Sequence, residues 1–122
     1  MGVLTGKRVL LLEDEVFIAF DAEEILLSLG ADDVVVAHNL SAARACLESQ
    51  SIDWAMLDRN LNGEYSDDLA RELASRGMPL IVASGYGALD GNSEIVTVSK
   101  PYDESMIEAA FRESGLGGPA ED

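Results

Sequence analysis

The feature that most constrains this chain is a strict alternation of short apolar runs with stretches of helical periodicity. Val9-Leu10-Leu11-Leu12, Val34-Val35-Val36, Ile52 to Leu57, Pro79 to Ala83 and Glu94 to Val98 read as five strands, too apolar to expose a face. Between them, Glu15 to Leu29 carries Ile18, Ala22, Ile25 and Leu29 at helical spacing and stops at Gly30. Ser41 is placed to cap a helix running to about Glu48, and Ser66-Asp67-Asp68 opens a third helix, with Leu69 and Leu73 inward and Gly77 at its close. Asp103 caps a last helix with Met106, Ile107, Ala110 and Phe111 inside, and Gly115 is expected to break it. Strands and helices in such alternation predict an α/β fold, a doubly wound parallel sheet with helices on both faces.

Composition narrows the function. The chain has 122 residues and is 48% hydrophobic, enough for one domain with a core. Eight basic residues against 23 acidic give a net charge of −15, and no Lys/Arg cluster occurs. A basic face for phosphate neutralisation is missing, so nucleic acid and anionic membrane are both disfavoured as partners. The acidity suits a protein partner with a basic docking face. A single cysteine, Cys46, permits no internal disulfide, and no apolar run reaches spanning length; the expectation is a cytoplasmic protein. Cys46 and Trp54 read as packing, and the lone histidine, His38, as a surface residue.

Ligands of a parallel α/β sheet bind beyond the carboxyl ends of its strands. The first strand ends at Glu13-Asp14-Glu15, the third at Asp58, the fourth at Ser84-Gly85 and the fifth at Ser99-Lys100-Pro101. Singly, each reads as a solvated loop residue or a cap. Together they place three carboxylates, a hydroxyl and an ammonium on one rim. Glu13, Asp14 and Asp58 would repel one another, raising at least one pKa. A hard divalent cation such as Mg2+ relieves that repulsion. A central carboxylate with a cation, a lysine and a hydroxyl around it is the equipment for forming an aspartyl phosphate.

Glu13-Asp14, the Met56 to Leu61 segment, Ser84-Gly85 and Lys100-Pro101, in this order, resemble the response-regulator receiver domain, the CheY-like family, over residues 6 to 115. The resemblance implies a flavodoxin-like (βα)5 sheet of order 2-1-3-4-5. It implies residues 1–6 as an extension, 7–115 as the receiver, 116–122 as an acidic tail, and no output domain. It makes Asp58 the phosphoacceptor, with Asp14, Asp58 and the Asn60 backbone carbonyl as inner metal ligands and Glu13 acting through water. Ser84 and Lys100 would contact the phosphoryl group, and Asn60 and Tyr86 would tune its loss. The implied partners are a sensor histidine kinase and a downstream protein target, the output being either docking to that target or draining phosphate from a shared kinase. On this reading the chain is no general enzyme: it catalyses only its own aspartyl phosphorylation and dephosphorylation.

Two departures stand out. Receivers carry an aromatic switch three residues before the lysine, where this chain has Thr97. Nine residues separate Ser84 from Glu94, too few for a full helix with loops, so a short or irregular fourth helix is expected. Both departures, with Val82-Ala83-Ser84-Gly85-Tyr86-Gly87, resemble the single-domain FATGUY group, and they move the expected switch to residues 85–93. The competing readings are a haloacid dehalogenase-like phosphatase, a pseudo-receiver that binds without phosphorylation, and a flavin-binding relative. The first would need Asp-x-Asp after the first strand, where Glu13-Asp14-Glu15 stands; the last would need a hydroxyl- and glycine-rich loop there.

Overall fold

The computed structural model describes residues 2–85 and 95–116. Within them the order is β1 (Arg8–Leu12), α1 (Val16–Ser28), β2 (Asp33–Ala37), α2 (Leu40–Ser49), β3 (Trp54–Asp58), β4 (Asn60–Leu61), β5 (Glu64–Tyr65), α3 (Asp67–Ser75), β6 (Leu80–Ser84), β7 (Val96–Ser99) and α4 (Glu104–Leu116). β2, β1, β3, β6 and β7 form one parallel five-stranded sheet in that order. This is the flavodoxin-like arrangement, the expected 2-1-3-4-5 with β6 and β7 as its fourth and fifth strands.

The pleat divides the core. Val9, Leu11, Met56, Ile81, Ala83 and Val98 face Ala22 and Leu26 of α1 and Ile107, Ala110 and Phe111 of α4. The alternate residues Leu10, Leu12, Ala55, Leu57, Leu80 and Val82 face Ala43 of α2 and Leu69, Ala70 and Leu73 of α3. Successive strand side chains point to opposite faces, so one run of apolar residues serves both layers.

Several local expectations shift. The inner face of α1 carries Ala19, Ala22 and Leu26, with Ile18 and Ile25 only half-buried at its edges. The cap of α2 is Asn39, whose side chain accepts from the Ala42 N–H at 2.8 Å; Ser41 lies inside the helix. Asn39 is extended and precedes the first turn, which is where a side-chain acceptor meets an orphan N–H. Gly115 does not end α4. It lies within the helix, where a Cβ would come 3.1 Å from the Trp54 ring, so its missing side chain lets α4 pass close to that indole. Trp54 in turn stacks at 5.2 Å on Phe111. Gly30 does terminate α1, at φ +106°, with the Ala31 N–H donating back to Leu26. Asp103 caps α4 through its bond from the Met106 N–H at 2.9 Å. The expected fifth strand begins later, at Val96, with Ile95 buried just before it. The anticipated irregular fourth helix and Tyr86 lie outside the described residues.

Candidate functional site

Register delivers the site. Leu12 pairs with Leu57, Asp58 with Ala83, and Ser84 with Ser99, so the next residue of each outer strand turns over the same rim. Two backbone bonds extend the ladder past the strands: the Arg59 N–H donates to Ala83 and the Lys100 N–H to Ser84. The Lys100–Pro101 peptide is cis. Glu13, Asp58 and Ser84 are all buried.

Lys100 Nζ stands 2.9 Å from Asp58 Oδ1 and 3.9 Å from Glu13 Oε1. Carboxylate oxygens of Glu13, Asp14 and Asp58 lie within 4.8 Å of one another. Glu13 is held in a largely desolvated position. Burial pushes its carboxyl up to about 7, with the Asp58 charge adding to the rise; the Glu15 N–H, bonded to Oε2 at 3.1 Å, and the Lys100 ammonium oppose it. The pKa of Lys100 is raised. Its burial alone would lower it, but the bond to Asp58 and the charges of Asp58, Glu13 and Glu15 outweigh that. One carboxyl is raised as expected, but the burial of Glu13 contributes more than the neighbouring Asp58 charge.

Glu13 and Asp58 share the Lys100 ammonium, and Asp14 adds a third carboxylate beside them. Their all-oxygen donor set and spacing fit a hard divalent cation such as Mg2+, held by Glu13, Asp14 and Asp58. Asn60 lines the same open cleft, of about 480 Å3, with Asp14, Asp58, Ser84, Gly85 and Lys100. Its side chain is engaged elsewhere, since Oδ1 accepts from the Gly63 N–H at 2.8 Å. Thr97 sits half-buried in β7, paired with Val82 and away from that cleft lining.

Four features of the site were not read from the sequence. β4 and β5 form an antiparallel hairpin across Asn62 (φ 57°) and Gly63 (φ +97°), walling one side of the cleft. The Asn-Gly pair is a strong hairpin signal that could have revealed it. Ser66, expected to open α3, makes no cap bond. Its buried hydroxyl donates to the Asp58 carbonyl at 2.8 Å and fixes the end of β3 from behind. Arg59 makes a two-pronged pair with Asp67 at 3.1 Å and lies over the Tyr65 ring at 5.8 Å, tying hairpin to helix. Tyr102 is pushed up to about 12 by burial and then by the charges of Glu13, Asp58 and Asp21.

A parallel five-stranded sheet with an acid-lysine cleft at its carboxyl edge defines the architecture of a signal-receiver domain. Comparison with solved structures agrees. SdrG from Sphingomonas melonis Fr1 superposes with a TM-score of 0.77 at 30% identity, over 93% of this chain and 98% of that one. The PhyR response regulator REC domain of Erythrobacter litoralis gives 0.81 at 22% identity, over 99% and 98%. A CheY-like response regulator receiver domain protein from Methanospirillum hungatei JF-1 gives 0.72 at 22% identity, over 92% and 98%. The chain has the flavodoxin-like fold of CheY-like receiver domains. No protein-family model and no curated protein matches the sequence.

Proposed function

We propose that this chain is a phosphoacceptor of a two-component relay, taking a phosphoryl group on Asp58 from a histidine kinase and signalling by docking to another protein. The observation that carries the reading is the 2.9 Å contact of Lys100 Nζ with Asp58 Oδ1 beside two further carboxylates. In the proposed step an Asp58 oxygen attacks phosphorus, the P–N bond to the donor imidazole breaks, and that nitrogen keeps the electron pair. Lys100 moves from Asp58 towards the incoming phosphoryl oxygens, and the Ser84 hydroxyl donates to another. A bound Mg2+ neutralises charge on that group; Glu13, Asp14 and Asp58 would hold it, with the Asn60 carbonyl a further ligand by resemblance.

The acidic, apolar face beside the cleft suits the donor. Val16, Phe17 and Phe20 stand 64%, 86% and 61% exposed on α1, which starts two residues after Asp14. Exposed Glu15, Asp21 and Glu24 surround them. An amphipathic kinase helix with an apolar stripe and a basic rim complements this surface.

The test is labelling with acetyl phosphate or a phosphorylated kinase. Wild-type protein is expected to gain one acid-stable, hydroxylamine-sensitive phosphoryl group in Mg2+ and none in EDTA, and Asp58→Asn to gain none. Labelled Asp58→Asn would move the acceptor elsewhere. An unlabelled wild-type chain would favour the pseudo-receiver, and steady turnover of p-nitrophenyl phosphate the phosphatase.

A further inference from the structure

We propose that His38 is a positioning residue for the cation-binding corner, acting through the backbone of Glu13; the inference rests on the phosphoacceptor reading and deepens it. His38 is the residue after β2, and its ring Nδ1 lies 2.9 Å from the Glu13 carbonyl oxygen. A carbonyl only accepts, so Nδ1 carries the proton and donates it. The residue before it completes the grip, because the Glu13 N–H donates to the Ala37 carbonyl at 3.0 Å. The end of β2 therefore holds both polar groups of the Glu13 backbone.

That grip matters because of what the held peptide carries. The Glu13 carbonyl belongs to the peptide unit that joins Glu13 to Asp14, and both side chains belong to the three-carboxylate cluster. Peptide units are planar, so fixing this carbonyl fixes the direction in which the Asp14 Cα leaves. No side-chain cap steadies the start of α1: Glu15, its N-cap, makes no cap bond. The Glu15 N–H is instead spent on the Glu13 carboxylate at 3.1 Å. With His38 removed, the carbonyl loses its partner, and the corner turns about bonds that β1 no longer controls. Groups that orient metal ligands from behind usually change affinity by about 10-fold or more when lost.

His38→Ala should weaken Mg2+ binding, read by calorimetry on the intact chain, by about 10-fold. His38→Asn places an amide N–H where Nδ1–H stood, and should bring affinity back to within about 3-fold of wild type, the scale of one relaxed hydrogen bond. Amide exchange supplies a readout that needs neither cation nor phosphoryl donor. The Glu13 N–H, bonded to the Ala37 carbonyl at 3.0 Å, should exchange faster in His38→Ala than in wild type, with β1 amides from Val9 to Leu12 unchanged, and slow again in His38→Asn. Equal Mg2+ affinity in wild type and His38→Ala overturns the proposal. So does a His38→Asn protein no better than His38→Ala, or a Glu13 amide whose exchange is the same in all three proteins. A wild-type chain that is not labelled by acetyl phosphate defeats the phosphoacceptor reading instead, while the Glu13 amide still reports on the corner.

Discussion

Glu13 and Lys100 set the chemistry at the scale of single residues. Glu13 holds its proton more tightly folded than unfolded, with its carboxyl moved from 4.5 to about 7. Between those values the folded chain binds more protons than the unfolded one, so stability falls as pH rises. The contribution is fully present below about 4.5 and lost above about 7. The melting temperature of the metal-free protein is expected to drop across that window, and Glu13→Gln to flatten the drop in the same scan. Lys100 is the ammonium that two buried carboxylates share. Lys100→Ala should cost about 1–3 kcal/mol at pH 8. Part of that cost should vanish at pH 5, where Glu13 is protonated in the fold, while the part due to the 2.9 Å contact with Asp58 stays. Chemical denaturation at both pH values measures the difference.

At the scale of elements, the strand ends were legible and the helix faces less so. Asp58, Ser84 and Lys100 stand where an apolar run stops, a signal that needs no knowledge of tertiary contacts. The inner face of α1 was misjudged because Ala19 is as well buried as Ala22, while the larger Ile18 and Ile25 rest at the margin. Periodicity places a face only to within one residue, and the sheet decides which side wins. His38 was read as surface, and it is exposed; what sequence could not supply was the partner 25 residues away. The same limit hid Ser66 behind Asp58. The exposed start of α1 carries its own prediction. Phe17→Ala and Phe20→Ala should change stability by no more than about 0.5 kcal/mol, as exposed side chains usually do. Transfer from the phosphorylated kinase should fall at least several-fold, with labelling by acetyl phosphate unchanged. An equal loss from both donors would place these rings in the site rather than in docking.

Across the whole molecule, a net charge of −15 makes every added carboxylate expensive near the cleft. A cation bound by Glu13, Asp14 and Asp58 offsets part of that charge, so binding and folding are linked. At a concentration 100-fold over its Kd, Mg2+ should stabilise the fold by about 2.7 kcal/mol. NaCl at equal ionic strength should do less, because it screens the charge without occupying the corner. Asp58→Asn should raise the melting temperature in EDTA and reduce the increment from Mg2+, both read in one thermal series.

The two-sided sheet has a consequence for how the molecule tolerates change. Met56 and Leu57 are neighbours in the chain, yet Met56 belongs to the layer of Ile107 and Phe111 and Leu57 to that of Leu69 and Leu73. The backbone between them is a partition. Among the described residues the two layers share no member, so substitutions on the two sides accumulate independently. Ile107→Val and Leu73→Ala, one from each layer, should sum in the double mutant to within about 0.5 kcal/mol. Ile107→Val with Phe111→Leu, both from one layer, should depart from the sum by more than that. Each layer is thus free to drift in sequence on its own, while the rim they jointly support keeps its shape.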